Sequence, residues 1–246
     1  MKLVPFVFGH GPWLSAWAAR IPAMNDAENV VIIDVLDDHS RDFFRLMNAA
    51  NQKAFGDLGM PAWVQLDCAT LPTAMTGLAS RKRDLDPAFV QDLESRADVG
   101  VLDDEALLPL AEYCALPTPE LGHVLGFSFF SLVPGLGVRA KALGLMAMQA
   151  RVQTGVTQID NTALRTHCRF GPLLVHKRGV QVHSRPGTTL VYRLQVPDAS
   201  TLADLGGGAL SRVGYRGLVQ RKSKASLQAG DVVVDVEGAD VVVAVD

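Results

Sequence analysis

The sequence predicts a mixed α/β chain in which helices flank a mostly antiparallel sheet with one parallel strand pair near its centre. Apolar runs of strand length, such as Val30–Leu36 and Val124–Val133, interleave with segments at helical spacing. Between Phe127–Val133 and Val156–Ile159 lies Ala140–Val152, rich in Ala, Leu and Met. It is long enough to be the crossover helix that a parallel pair requires. Leu173–Val182 and Thr188–Val196 flank Ser184-Arg185-Pro186-Gly187 as two antiparallel strands.

The remaining elements follow in chain order. Met1–Asn25 reads as an irregular lead segment whose Trp13 and Trp17 pack on the core. Val30–Leu36 is a β-branched strand. Asp37, Asp38 and Ser40 then open a helix carrying Phe43, Phe44, Leu46, Met47 and Ala50, which Gly56 and Gly59 end. Trp63–Asp67 alternates like a strand. Arg81–Asp104 is charged, with a short helix over Pro87–Arg96 capped by Asp86. Ala111–Leu116 is a strand, Pro134–Gly137 a break, and Thr162–Arg169 a short helix capped by Asn161. After Pro197 the composition shifts, with a flexible Gly206-Gly207-Gly208 and a hairpin of Val232–Val236 and Val241–Val245. The expected division is a core domain over 1–197 and a β-rich extension over 198–246 packed on it.

Composition narrows the function classes. The chain has 246 residues, 48% of them hydrophobic and 20% charged, the balance of a globular protein with a full core. A net charge of −3 offers no basic field for nucleic acid. The cluster Arg81-Lys82-Arg83, beside Asp84 and Asp86, reads as a solvated loop. Cys68, Cys114 and Cys168 are too far apart for a disulfide framework or a zinc site. His176 and His183 lack a third ligand, so no metal is expected, and Met146 and Met148 need only packing. No apolar run reaches membrane-span length, and His10, Gly11 and Pro12 interrupt the apolar N-terminus. The expectation is a cytoplasmic protein.

The most informative stretch is Val124–Val196. Its first break, Val133-Pro134-Gly135-Leu136-Gly137-Val138-Arg139-Ala140-Lys141-Ala142-Leu143-Gly144, puts small residues at a helix entrance, where backbone N–H groups and the helix dipole suit an anion such as a diphosphate. This stretch resembles the pantetheine-diphosphate loop of the GNAT acyltransferase superfamily, with Arg139, Ala142 and Gly144 on the three pattern positions. Asn161-Thr162-Ala163-Leu164-Arg165-Thr166-His167-Cys168-Arg169-Phe170-Gly171 is similar to the family's second acyl-CoA segment. There Asn161 and Gly171 match, Cys168 stands where a Tyr is usual, and Pro172 replaces a Phe.

The resemblance implies a GNAT-like α/β fold whose central parallel pair splays apart. It further implies direct transfer of an acyl group from a thioester to an amine, the acceptor being a small amine or an amino-acid-like molecule. The donor is acetyl-CoA, a longer acyl-CoA or an acyl carrier protein; a homodimer is a separate expectation. Phe127–Val133 would offer backbone groups to pantetheine, with an N–H near Leu132 or Val133 polarising the thioester. The amides of Val138, Arg139, Ala140, Lys141, Ala142, Leu143 and Gly144 would hold the diphosphate, and Asn161 would contact the donor. Glu112, and Asp67 at the end of its strand, are the candidate bases, since desolvation can raise a carboxylate's pKa. Cys168 is the candidate acid, because a thiol at about 8.5 lies closer to a thiolate than tyrosine at about 10. His167 reads as an exposed residue stabilised by the helix dipole.

Two other readings stay open. Phe6-Val7-Phe8-Gly9-His10-Gly11 looks like the oxyanion turn of α/β-hydrolase esterases, and Gly126-Phe127-Ser128-Phe129-Phe130 is half of a nucleophile elbow. Degenerate glycines and the missing Tyr also suit a GNAT-like module that binds ligand without turnover.

Overall fold

The computed structural model describes residues 1–71, 74–179 and 188–245. Leu3–Gly9 (β1) is buried along its whole length and sits inside the sheet. Val31–Asp34 (β2) pairs parallel to it at the edge. Ala74–Arg81 (β3), Leu107–Pro117 (β4) and His123–Ser131 (β5) continue from β1 as antiparallel neighbours. Val152–Gln158 (β6) then pairs parallel to β5, and Thr189–Gln195 (β8) and Leu173–Arg178 (β7) follow antiparallel. Val219–Ser223 (β9), Val232–Glu237 (β10) and Asp240–Ala244 (β11) complete a sheet that has eleven strands among the described residues, in the order β2-β1-β3-β4-β5-β6-β8-β7-β10-β11-β9. The expected mixed, mostly antiparallel sheet with a central parallel pair forms, but the β5–β6 rungs join His123–Gly126 to Val152–Gly155 rather than Phe127–Val133 to Val156–Ile159. In addition, β1–β2 is a second parallel pair, and the sheet is larger than the resemblance implies.

The helices divide between two cores. Arg41–Phe55 (α2), Ala62–Thr70 (α3) and Pro87–Ala97 (α4) cover one face with Phe43, Leu46, Met47, Cys68, Val90 and Leu93. Trp13–Ala18 (α1), Leu136–Ala147 (α5) and Ala199–Gly207 (α7) cover the other through Trp17, Leu143, Leu145 and Leu205. Thr162–Cys168 (α6) also packs there through Leu164. Two caps expected from sequence form. The Asp86 carboxylate accepts from the Ala88 and Phe89 amides, and the Asn161 side chain accepts from Ala163 at 2.9 Å.

Several elements differ from expectation. The lead segment holds a strand and a helix. Trp63–Asp67 is helical, because Gln65, Cys68 and Ala69 are buried at i, i+3 and i+4, a spacing that five residues of apparent alternation conceal. α5 begins four residues early, where Gly135 at φ 87° turns the chain, and it ends at Ala147. The Gly206–Gly208 run ends α7, with Asp198 capping its start and Gly208 at φ 78° closing it. The turn at Ser184–Gly187, His183 and the end of Leu173–Val182 lie outside the described residues. The tail strands join the sheet where β10 pairs with β7 through Val232–Leu174 and Val233–Leu173.

Gly144 sits in the third turn of α5, pressed on the sheet. A Cβ there would lie 2.4 Å from the Tyr113 ring and 2.8 Å from Thr76 Oγ1. Gly144→Ala is therefore expected to cost about 2 kcal/mol by overpacking. A thermal melt at neutral pH checks this.

Candidate functional site

The parallel pair holds for four rungs, from His123–Val152 to Gly126–Gly155, and then opens. Beyond it β5 keeps its bonds to β4, while Val156–Gln158 pairs only with β8. A bulge marks the fork: Ala115 faces Gly126 and Cys114 faces Ser128, leaving Phe127 as the extra residue. Leu132 N–H donates to Leu110 O at 2.8 Å, which sets the phase of the ladder. By its alternation Phe130 and Ser128 turn their N–H groups to β4, and Phe129 and Ser131 turn theirs to the gap. The gap is a cavity of about 540 Å³ between β5, β6, the C-terminal end of α2, the start of α3, and α6.

Two glycines make room at the fork. A Cβ on Gly126 would lie 2.4 Å from Gln153 Nε2 and 3.2 Å from Tyr113 Oη; one on Gly155 would lie 2.4 Å from the Tyr192 hydroxyl. Three polar tips thus converge under the open strands. Gln153 Nε2 donates to Tyr192 Oη at 3.1 Å. Tyr113 Oη and Gln153 Oε1 are buried with no hydrogen-bond partner among the described residues. Such atoms are costly to leave unpaired and mark a place where a ligand can bond.

His167 closes the inner wall, its ring 5.6 Å from Phe129 and 4.9 Å from Tyr192. Its Nδ1 lies 3.1 Å from Lys141 Nζ, which itself sits 4.5 Å over the Phe170 ring. Both side chains are buried. Desolvation lowers the Lys141 ammonium to about 7 and holds the imidazole well below its ordinary value.

On the opposite face of the sheet Ser128 Oγ donates to Glu112 Oε2 at 3.3 Å and accepts from Asn51 Nδ2 at 3.4 Å. Asn51 Oδ1 accepts from Met60 N–H at 2.6 Å, tying this group to the loop before α3. Ser128 and Asn51 line the cavity, with Glu112 behind them. Glu112 is fully buried. Desolvation raises its carboxyl to about 8, and the Ser128 bond only partly offsets this. A group poised near neutrality beside a cavity can take or give a proton.

Of the residues singled out from sequence, the structure brings Asn161 to the cavity wall and Glu112 just behind it. Asp67 lies on the exposed side of α3. Cys168 is buried and is not among the cavity-lining residues; desolvation pushes its thiol up to about 12. Cys168→Ala is accordingly expected to lower the melting temperature and leave any turnover unchanged. Of the two amides expected to polarise the thioester, the Leu132 N–H is already bonded to Leu110 O, and Val133 stands one residue further on, where its carbonyl accepts from Leu136 N–H and Ser131 Oγ. Ala140, Lys141, Ala142, Leu143 and Gly144 lie past the first turn of α5, where the helix itself consumes their amides. Val138 is in that first turn. Arg139 forks onto Asp26 at 2.7 Å through both terminal nitrogens and donates to Gly206 O.

His167 is buried rather than exposed. Tyr113, Gln153, Asn51 and Tyr192 carried no motif. The available signal was Tyr113 beside Glu112 in the otherwise apolar strand β4. Ser128 lies within continuous strand β5, so the strand-to-helix turn that a nucleophile elbow requires is absent there. His10 is paired to Asp34 at 2.9 Å. Among the described residues no three His, Cys, Asp or Glu side chains gather as a metal site, and no helix is long and apolar enough to cross a membrane.

The mixed sheet forks between β5 and β6, and the fork opens into a cleft. No protein-family model matches the chain, and a search of curated proteins finds no match. Among solved structures the chain is similar to a probable acetyltransferase of the GNAT family from Chromobacterium violaceum ATCC 12472. The two share 17% identity with a TM-score of 0.39, over 65% of this chain and 84% of that one.

Proposed function

We propose that this protein is an acyltransferase that moves an acyl group from a pantetheine thioester, acyl-CoA or acyl carrier protein, to a small amine. The carrying observation is the fork between β5 and β6, which frees the N–H groups of Phe129 and Ser131 along a strand edge beside an uncovered cavity. An amide-bearing arm can add to such an edge as a further strand would. Tyr113 Oη and Gln153 Oε1, both unpartnered, fit an uncharged arm with N–H and C=O groups. At the entrance of α5 the Leu136 amide already donates to Val133 O, which leaves the Gly137 and Val138 amides of the first turn for a diphosphate.

The donor supplies a thioester carbonyl. Around it the chain's own groups divide the work. The Tyr113 hydroxyl stays protonated, since burial raises its pKa, and can donate a hydrogen bond to the carbonyl oxygen as negative charge builds there. Ser128 relays the amine proton to the Glu112 carboxylate while the C–N bond forms and the C–S bond breaks. The thiolate leaves as the C–S bond breaks and takes its proton from solvent at the open end of the cavity, while Tyr113 keeps its own.

Calorimetry with hexanoyl-CoA tests the reading. Wild type should bind, and Gly126→Val, which fills the fork, should lose at least about tenfold in affinity. Equal affinity in the two proteins, with the variant folded by circular dichroism, would remove the fork from the donor site.

A further inference from the structure

Among the described residues, charge is missing from the lining of the cleft. Its polar lining residues, Asn51, Ser128, Gln153, Thr157, Gln158 and Asn161 among them, are neutral, and no Asp, Glu, Lys or Arg lines it among the described residues. The nearby cation, Lys141, is fully buried behind His167 and against the Phe170 ring. The nearby carboxyl, Glu112, stands behind Ser128 and would repel an anion when ionised. The outer wall is apolar, formed by Phe55, Leu58, Met60, Val64 and Phe127. Phe127 and Leu58 are 46% and 45% exposed at the mouth, so apolar surface faces whatever enters.

We infer that the acceptor is an alkyl-bearing primary amine without a carboxylate or phosphate of its own, an alkylamine rather than an amino acid. The inference rests on the acyl-transfer reading above and narrows it. An amino acid would carry its carboxylate into a wall where no described residue offers a cation to pair it, and an unpaired ion in such a place is costly. An alkyl chain gains by covering Phe55, Leu58 and Val64. The same surroundings favour the free-base amine over the ammonium, which is the form that attacks a thioester.

Thiol release from hexanoyl-CoA, measured with octylamine, norleucine and lysine as acceptors, tests this. Octylamine should exceed both amino acids in kcat/KM by at least about 10²-fold. Val64→Arg, which puts a cation on the wall, should reduce that ratio by about tenfold or more. Equal or better use of norleucine by wild type would overturn the inference and leave acyl transfer standing. If no acceptor releases thiol, acyl transfer itself fails. Direct calorimetry of octylamine against norleucine then reads the cleft alone, with tighter binding of octylamine expected and no preference overturning the inference.

Discussion

Glu112→Gln is expected to lower turnover about 10²- to 10⁴-fold, the usual contribution of a proton acceptor, and to leave donor affinity within about twofold. Gln keeps the shape and can still bond Ser128, but it cannot hold the amine proton. Wild-type kcat should rise with pH through about 8 as the buried carboxyl ionises, and the residual rate of the variant should lack that limb. The same substitution carries a stability signature of known sign. Glu112 holds its proton when folded up to about 8 and loses it when unfolded near 4.5, so wild-type stability falls as pH rises between those values. The variant should therefore melt higher than wild type at pH 8, by about 5 °C, with the difference shrinking toward pH 4.5. A pH series of calorimetric melts on both proteins reads it.

Lys141→Met should produce the opposite limb. The unfolded lysine keeps its proton to about 10.5, whereas the folded one loses it at about 7 because no water reaches it. Stability contributed by this site thus rises with pH from about 7 to 10.5 and is constant below. The melting temperature of the variant relative to wild type should be highest at and below pH 7 and fall steadily to pH 10. A difference independent of pH would mean that Lys141 stays charged in its pocket. Together the two groups place a stability minimum near pH 7 to 8, the range where the proposed proton transfer runs.

Much of the architecture was readable because it rests on local chemistry. Asp86 and Asn161 announce helix starts, and the crossover helix between two apolar runs announces the parallel pair. β3 stayed hidden because Ala74-Met75-Thr76-Gly77 carries small residues in place of a β-branched pattern. Its Gly77 is required by contact alone, a Cβ there lying 2.2 Å from Ala111 O. The cleft was less legible for the same reason. Glu112 and Asn161 could be picked by residue type and position, but the convergence of Tyr113, Gln153 and Tyr192 is made by two glycines and a one-residue bulge. Neither has a pattern until strands are paired. Gly144 and Arg139 resembled ligand contacts, and tertiary packing uses one against Tyr113 and the other for Asp26.

The central claim is that a pantetheine thioester lies along the free edge of β5. Amide chemical shifts of ¹⁵N-labelled protein, followed as hexanoyl-CoA is added, test it most directly. The expected result is saturable change concentrated at Phe129 and Ser131, with Gly126, Gly137 and Val138 moving beside them, and with Leu132, whose N–H is already bonded to Leu110, moving least among the residues that follow β5. Shifts confined to other surfaces, or none at millimolar donor, would contradict the account.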